Sequence, residues 1–439
     1  MKKKYCIVGL GSRGIGMFLI PLVRDYADVA EVTGLCDINW RRLEVAKQRA
    51  GIDVPTFTDF DEMLRSVECD AVIVATKDST HHHFIIKALE AGKDAITEKP
   101  MTVDDEKCRA ILAAEAKSSG RVRVTFNYRF APYMTRVKEL LKEGVIGRVL
   151  SVDFAWYLDT IHGADYYRRW HRRKENSGGL FVHKATHHFD LINWWLDQEP
   201  VRVYASGSRN FYGPTREERG ERCLTCQYKE TCEFYVDLSA SEEGRSLYLE
   251  AESVDGYWRD GCVFSPEIDI EDTMGAIVNY SGGAQLNYSL HSFMPFEGWR
   301  VAFNGTKGRL EAGIAERYFI EERPRFSERA KVGRRVDPWR AAQGDIEVKS
   351  EEEIRIYPLF GGVKTIKVPH GGSGHGGGDV RLRDMLFRGG VPDPLNHLAG
   401  SRAGAMSILT GVAANRSMAL GRPVMIEELL QDETAQVGA

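Results

Sequence analysis

Apolar and polar positions alternate along this chain in two regimes. From residue 4 to about 125, short apolar runs suited to buried strands fall at 4–9, 30–36, 71–75, 93–97 and 122–126. Segments with apolar residues at helical spacing separate them, as at 14–25 and 81–91. Runs apolar throughout mark strands covered on both faces, so the pattern predicts a parallel sheet between helices. After Phe126 the runs lengthen and alternate with period two, at 147–158, 201–209, 273–280, 284–291, 299–304, 308–312, 353–358 and 363–369. Turns such as Ser281-Gly282-Gly283 and Asn304-Gly305 join several of them, which favours antiparallel pairing. Helices are predicted at 132–142 and 401–420, the second stopped by Gly421-Arg422-Pro423.

The first strand runs directly into Gly9-Leu10-Gly11-Ser12-Arg13-Gly14 and then an apolar helix. With 43 glycines in the chain, Gly-x-Gly-x-x-Gly alone is weak, but strand before and helix after are the context in which it cradles a pyrophosphate. Gly9 permits the tight turn, Gly11 a close approach to phosphate and Gly14 helix–sheet contact, with Ser12 and Arg13 completing the loop. The second strand ends at Asp37, placed to accept hydrogen bonds from the adenosine ribose hydroxyls, which favours NAD over NADP. Arg41 and Arg42 lie close by and pull the other way. The chain thus divides into a Rossmann domain, 1–126, and an α+β domain, 127–425, with a large, mostly antiparallel open sheet and a Cys-rich insert at about 211–270.

At 439 residues and 43% hydrophobic content the chain has material for two cores. Its 59 basic and 63 acidic residues leave a net charge of -4, which argues against nucleic acid or an anionic membrane as partner. No window approaches eighteen apolar residues, and Lys2-Lys3-Lys4 leads into a strand rather than a signal peptide. A cytoplasmic enzyme is expected.

Two clusters carry candidate chemistry. His81-His82-His83 opens a helix, where successive side chains point about 100° apart and cannot share an ion. Ser79 or Thr80 caps that helix, and His81 is the candidate to pack beneath the cofactor. On a helix predicted from 179 to 196, His183, His187 and Asp190 share one face. Three polar groups on a helix rich in Trp and Leu need each other, a ligand or water. Removing a hydroxyl proton while a hydride leaves requires a base, which His187 can be if Asp190 orients it. Lys99 would then stabilise alkoxide charge or relay the proton, with His183 and Lys184 as further donors.

These residues resemble the Gfo/Idh/MocA family, named for glucose–fructose oxidoreductase and inositol dehydrogenase. The resemblance rests on the glycine loop, Asp37, the Thr76…His81 segment, Glu98-Lys99-Pro100, Asn127-Tyr128-Arg129-Phe130, Gly178-Gly179…His187-His188-Phe189-Asp190 and Asn415-Arg416-Ser417…Gly421-Arg422-Pro423. It implies oxidation or reduction of a secondary alcohol of a sugar or polyol with NAD(P). It also implies a homo-oligomer formed through the second-domain sheet. By the same resemblance Thr76, His81, Glu98 and Asn127 bind cofactor, and Lys99, Arg129, His187 and Asp190 lie at the substrate. His183 stands where the family often has an aspartate.

Some relatives cleave glycosides with a retained NAD, oxidising C3 so that the C1 substituent is eliminated. Bases on several sides of the ring are then needed, for which His183, His187, Lys184, Tyr157, His162 and Tyr166 are candidates. A non-catalytic sensor of NAD(H) and sugar is the third reading. Arg169 and Trp170 offer a guanidinium and an aromatic face to a sugar, or else belong to an exposed subunit contact. The glycine-rich segment 371–379 is either a linker or a loop that brings His375 and Asp379 over a substrate. Finally, Cys223, Cys226, Cys232 and Cys262 suit a structural zinc, with free or disulfide-linked thiols and an iron–sulfur cluster as alternatives.

Overall fold

The computed structural model describes residues 2–318, 334–336, 351–369, 371 and 374–431. Its first sheet contains β1 (Lys3–Val8), β2 (Ala30–Cys36), β3 (Thr56–Phe57), β4 (Ala71–Val74), β5 (Asp94–Thr97) and β6 (Val122–Val124). All pair in parallel, in the order β3-β2-β1-β4-β5-β6. The strand order reverses beside β1, and in such sheets ligands bind outside the carboxyl ends of the strands at that switch. Two-residue β3 is too short for periodicity to reveal, and it is absent from the sequence expectation. Gly9 follows β1 at φ +91°, and a Cβ there would lie 2.6 Å from the Ala75 backbone. A Cβ on Gly14 would meet Gly9 O at 2.0 Å. The turn closes only because both positions lack side chains.

The second sheet contains β7 (Val149–Asp159), β8 (Pro200–Ser208), β9 (Thr273–Tyr280), β10 (Gln285–Met294), β11 (Glu297–Gly305), β12 (Gly308–Tyr318), β13 (Arg334–Val336), β14 (Glu351–Pro358), β15 (Lys364–Pro369) and β16 (Val424–Met425). Its order is β15-β14-β12-β11-β7-β10-β9-β8-β16, with β13 on β12. Pairing is antiparallel except between β7 and β10, which run parallel. A parallel pair needs a long crossover, and here it is the whole stretch from 160 to 284.

Along β7, Val152, Phe154, Trp156 and Leu158 point inward while Asp153, Ala155 and Tyr157 face out. The helices Ala185–Leu196 and Ser401–Leu420 cover the inner face. The helix predicted as continuous from 179 to 196 is in fact two, Leu180–His183 and Ala185–Leu196, meeting at Lys184. The insert returns to the first domain, where Leu247 and Tyr248 join the core around β1. Among the described residues no helix is long and apolar enough to cross a membrane.

Candidate active site

At the carboxyl end of β1, a Cβ on Gly11 would meet nothing within 4 Å, so the loop presents bare backbone to open space. Asp37, at the end of β2, is nearly buried and accepts hydrogen bonds from Leu10 N at 2.7 Å and Asn39 N at 2.8 Å. Burial raises its pKa, opposed by those amides. Arg42 donates to Asp255 at 2.6 Å and to Leu247 O at 3.2 Å, and stands 3.9 Å from Asp37. It is therefore committed to the insert, and carboxylates crowd the ribose edge. Bare loop amides beside a recessed acceptor fit a dinucleotide without a 2′-phosphate. His81 is sealed, its ring nitrogens 2.9 Å from Pro100 O and 3.1 Å from Thr76 O. It ties the chain ends after β4 and β5 together.

Arg13 donates to Glu98 at 2.9 Å and lies 3.6 Å from Asp379. Asn127 Nδ2 lies 2.6 Å from Asp379 Oδ1 and 2.9 Å from His375 Nδ1, while its buried Oδ1 has no partner. The segment carrying His375 is therefore anchored rather than loose. His375, Gly376 and Gly377 turn through left-handed backbone before the helix continues to Arg383. Gly372 and Ser373 of that segment lie outside the described residues.

Lys99 is half-buried at the end of β5 and donates to His183 O at 3.1 Å. Burial pushes its pKa down to about 8, against the pull of Asp78 and Glu98. His183 Nδ1 lies 2.5 Å from Asp78 Oδ2, both groups deeply buried. Burial moves the carboxyl up and the imidazole down, and the 2.5 Å contact places a hydrogen bond between the two atoms. The ring of His187 packs edge-on against Tyr128 at 4.8 Å and lies 6.0 Å from His375, with Nδ1 unpartnered. Its pKa falls well below the ordinary value through burial and the charge of Lys99.

Asp190 does not orient His187. Its carboxylate accepts from Arg129 Nε at 2.7 Å and Nη2 at 2.5 Å, so both oxygens are engaged in a buried bidentate pair. Lys184 Nζ sits 4.8 Å over the Trp156 ring, and His188 stacks on that ring at 4.0 Å. On the wall near His183, His162 Nδ1 meets Glu297 at 2.9 Å and its Nε2 meets Tyr166 Oη at 2.8 Å. Trp170 stacks on His171, and Arg169 pairs with Asp165 at 2.9 Å. Tyr157 belongs elsewhere. It lies on the sheet's outer face, bonded to Arg300, because alternation on β7 turns it away from Trp156.

Sequence reading passed over Asp78 and Glu297 as site groups. Asp78 follows β4 at the switch-point edge, a positional signal that was available. Glu297 begins a strand in another part of the chain and gave none.

The four insert cysteines are free thiols around one cavity of about 20 Å³. Arg168 Nη1 lies 3.5 Å from Cys223 Sγ and Arg216 Nη2 3.0 Å from Cys232 Sγ. Among the described residues no three His, Cys, Asp or Glu are grouped as they would be to hold a metal ion.

A family model described as an oxidoreductase family with an NAD-binding Rossmann fold matches residues 3–126, and its C-terminal alpha/beta domain matches 138–426. Putative oxidoreductase YteT of Bacillus subtilis is 42% identical over 98% of this chain and 99% of its own length. Inositol 2-dehydrogenase of Rhizobium meliloti is 30% identical over 45% of this chain and 57% of its own. In fold, the WlbA dehydrogenase of Bordetella pertussis, solved with NADH and UDP-GlcNAcA, superposes with a TM-score of 0.63 at 18% identity, covering 97% of this chain and 99% of that one. The chain belongs to the Gfo/Idh/MocA family of NAD-binding oxidoreductases.

Proposed function

We propose that the protein oxidises or reduces a secondary alcohol carbon of a sugar or sugar derivative, using NAD. The observation that carries this reading is the placement of half-buried Lys99 after β5, donating to His183 O at 3.1 Å, four residues before His187, whose Nδ1 is buried without a partner. NAD supplies the hydride acceptor. For the hydroxyl proton, a group titrating near working pH is the effective exchanger, which favours Lys99 over the deeply depressed His187. His187, kept neutral, orients the substrate oxygen. The Asp78–His183 pair holds a hydroxyl neighbour, as donor or acceptor according to which atom carries the proton of their hydrogen bond. This reassigns the base role expected of His187 and leaves Arg129–Asp190 as the brace behind it.

A second reading, redox-assisted cleavage of a glycoside, is favoured by the additional histidine–carboxylate pairs, His183–Asp78 and His162–Glu297. Elimination and water addition need acid–base groups beyond the one that serves hydride transfer. Incubation with sugars, polyols and aryl glycosides separates the readings. Stoichiometric NADH supports the dehydrogenase, and phenol release without NADH accumulation supports the glycosidase. Ligand binding with neither event removes both.

The outer face of the second sheet exposes Tyr204 and Ile277 in a groove of about 660 Å³ that also contains Tyr157 and Arg300, and a second copy is the occupant we assign to it. For the insert, we assign the four thiols as ligands of a structural zinc, with Arg168 and Arg216 beside Cys223 and Cys232 favouring the thiolate form. Eight free thiols accord with a reducing compartment such as the cytoplasm.

A further inference from the structure

Between Cys232 and Cys262, the insert leaves its own domain and crosses to the nucleotide domain. Leu247 is fully buried in the core around β1, and Tyr248 lies beside it. The crossing is latched by polar bonds as well. Asn39 Nδ2 donates to Ala251 O at 2.9 Å, Arg42 reaches Leu247 O and Asp255, and Arg49 donates to Ser246 at 3.1 Å. Its root is fixed by Arg222, which pairs with Glu252 at 2.6 Å and Asp260 at 2.7 Å.

The strap ends on the glycine loop. Ser12 N–H, an amide of that loop, donates to Tyr248 Oη at 3.4 Å. The phenol proton is then free for an acceptor. Arg259 lies 4.3 Å over the Tyr248 ring, and Tyr248 and Tyr257 both adjoin the Arg169 guanidinium. Arg169 Nε is buried without a hydrogen-bond partner, and Tyr257 Oη faces the same guanidinium. Asp165 bonds Arg169 at 2.9 Å and stands 3.8 Å from Arg259, so one carboxylate faces two arginines and a net positive charge remains at the edge of the phosphate-binding loop, where an anion is favoured.

We infer that Tyr248 is a cofactor-binding residue and that the insert strap holds NAD(H) in place as a slowly exchanging, resident group. This rests on the NAD-binding domain and not on the proposed sugar chemistry. A hydroxyl donor from the strap and amide donors from the loop would share one diphosphate, so release requires the strap to lift from Asn39, Arg42 and Arg49. A resident cofactor must be returned to its starting oxidation state within the site, by the same substrate or by a second one.

NADH dissociation, followed by loss of energy transfer from tryptophan when excess NAD is added, tests this on the full chain. Removing one hydrogen bond to a charged group accelerates release by about 10-fold or more, so Tyr248→Phe is expected to do so. A release rate within twofold of the unaltered protein overturns the assignment. Should Tyr248→Phe fail to fold, hydrogen exchange of the unaltered protein decides. Slower exchange across 245–257 in the cofactor-loaded protein than in the same protein stripped of NAD(H) supports the strap, and equal exchange in the two overturns it. Neither readout depends on a substrate, so a failed sugar assay leaves this result standing.

Discussion

Nδ1 of His183 stands 2.5 Å from Oδ2 of Asp78, joining the second domain to the loop after β4 across the cleft. Neither group is stable alone there, because burial disfavours the charge on each. Asp78→Asn leaves the size of the side chain and removes the carboxyl group. We expect kcat to fall roughly 10²-fold, the lower end for a positioned acid–base group. NADH binding by fluorescence titration should be unchanged, and an unaltered kcat would separate the pair from the chemistry.

Lys99 sets the pH dependence. Burial brings its pKa down from 10.5 to about 8, so it is an ammonium at neutral pH and an amine above that point. Oxidation needs the amine to take a proton, so its rate should rise through about pH 8. Reduction needs the ammonium and should fall across the same range. Lys99→Met should flatten both limbs and slow turnover by roughly 10² to 10⁴. pH profiles in both directions check the sign, and a limb that survives the substitution assigns the proton to another group.

The Arg129–Asp190 bridge is expected to affect stability. Removing one partner of a buried ion pair costs about 3–5 kcal/mol, because the other charge is stranded. Asp190→Leu should therefore lower the denaturation midpoint strongly. Arg129→Met combined with Asp190→Leu should recover much of the loss, since two apolar side chains leave no stranded charge. Denaturant titration of the three variants measures the coupling, and simple additivity would count against it.

On the outer sheet face, Ile277→Asp places a charge in the apolar groove and should shift the particle mass toward the monomer in light scattering. NADH binding should not change. Equal masses for variant and parent would remove the sheet face as the contact.

Purified protein should carry zinc at about one equivalent, bound by thiolates, and Cys223→Ser should lose it. Elemental analysis gives the answer, and metal-free protein that is folded would end the zinc proposal.

Much of this architecture was legible along the chain, since local patterns report local physics. Buried parallel strands read as apolar runs, alternating strands as half-covered ones, and the glycine loop as a turn where a Cβ would strike Ala75 or Gly9. Helical spacing predicted one face for His183, His187 and Asp190, but the helix breaks at Lys184 and leaves His183 on the shorter piece. The partners of those side chains were decided by the approach of distant strands and loops. Asp190 met Arg129, His183 met Asp78, and Tyr157 turned outward with the pleat of β7. A period of two or of 3.6 tells which way a side chain points from its own element, whereas burial and charge at the site arise from whatever the fold packs opposite. For the same reason the strap over the nucleotide domain, whose anchor lies more than two hundred residues from the loop it meets, left no trace in spacing.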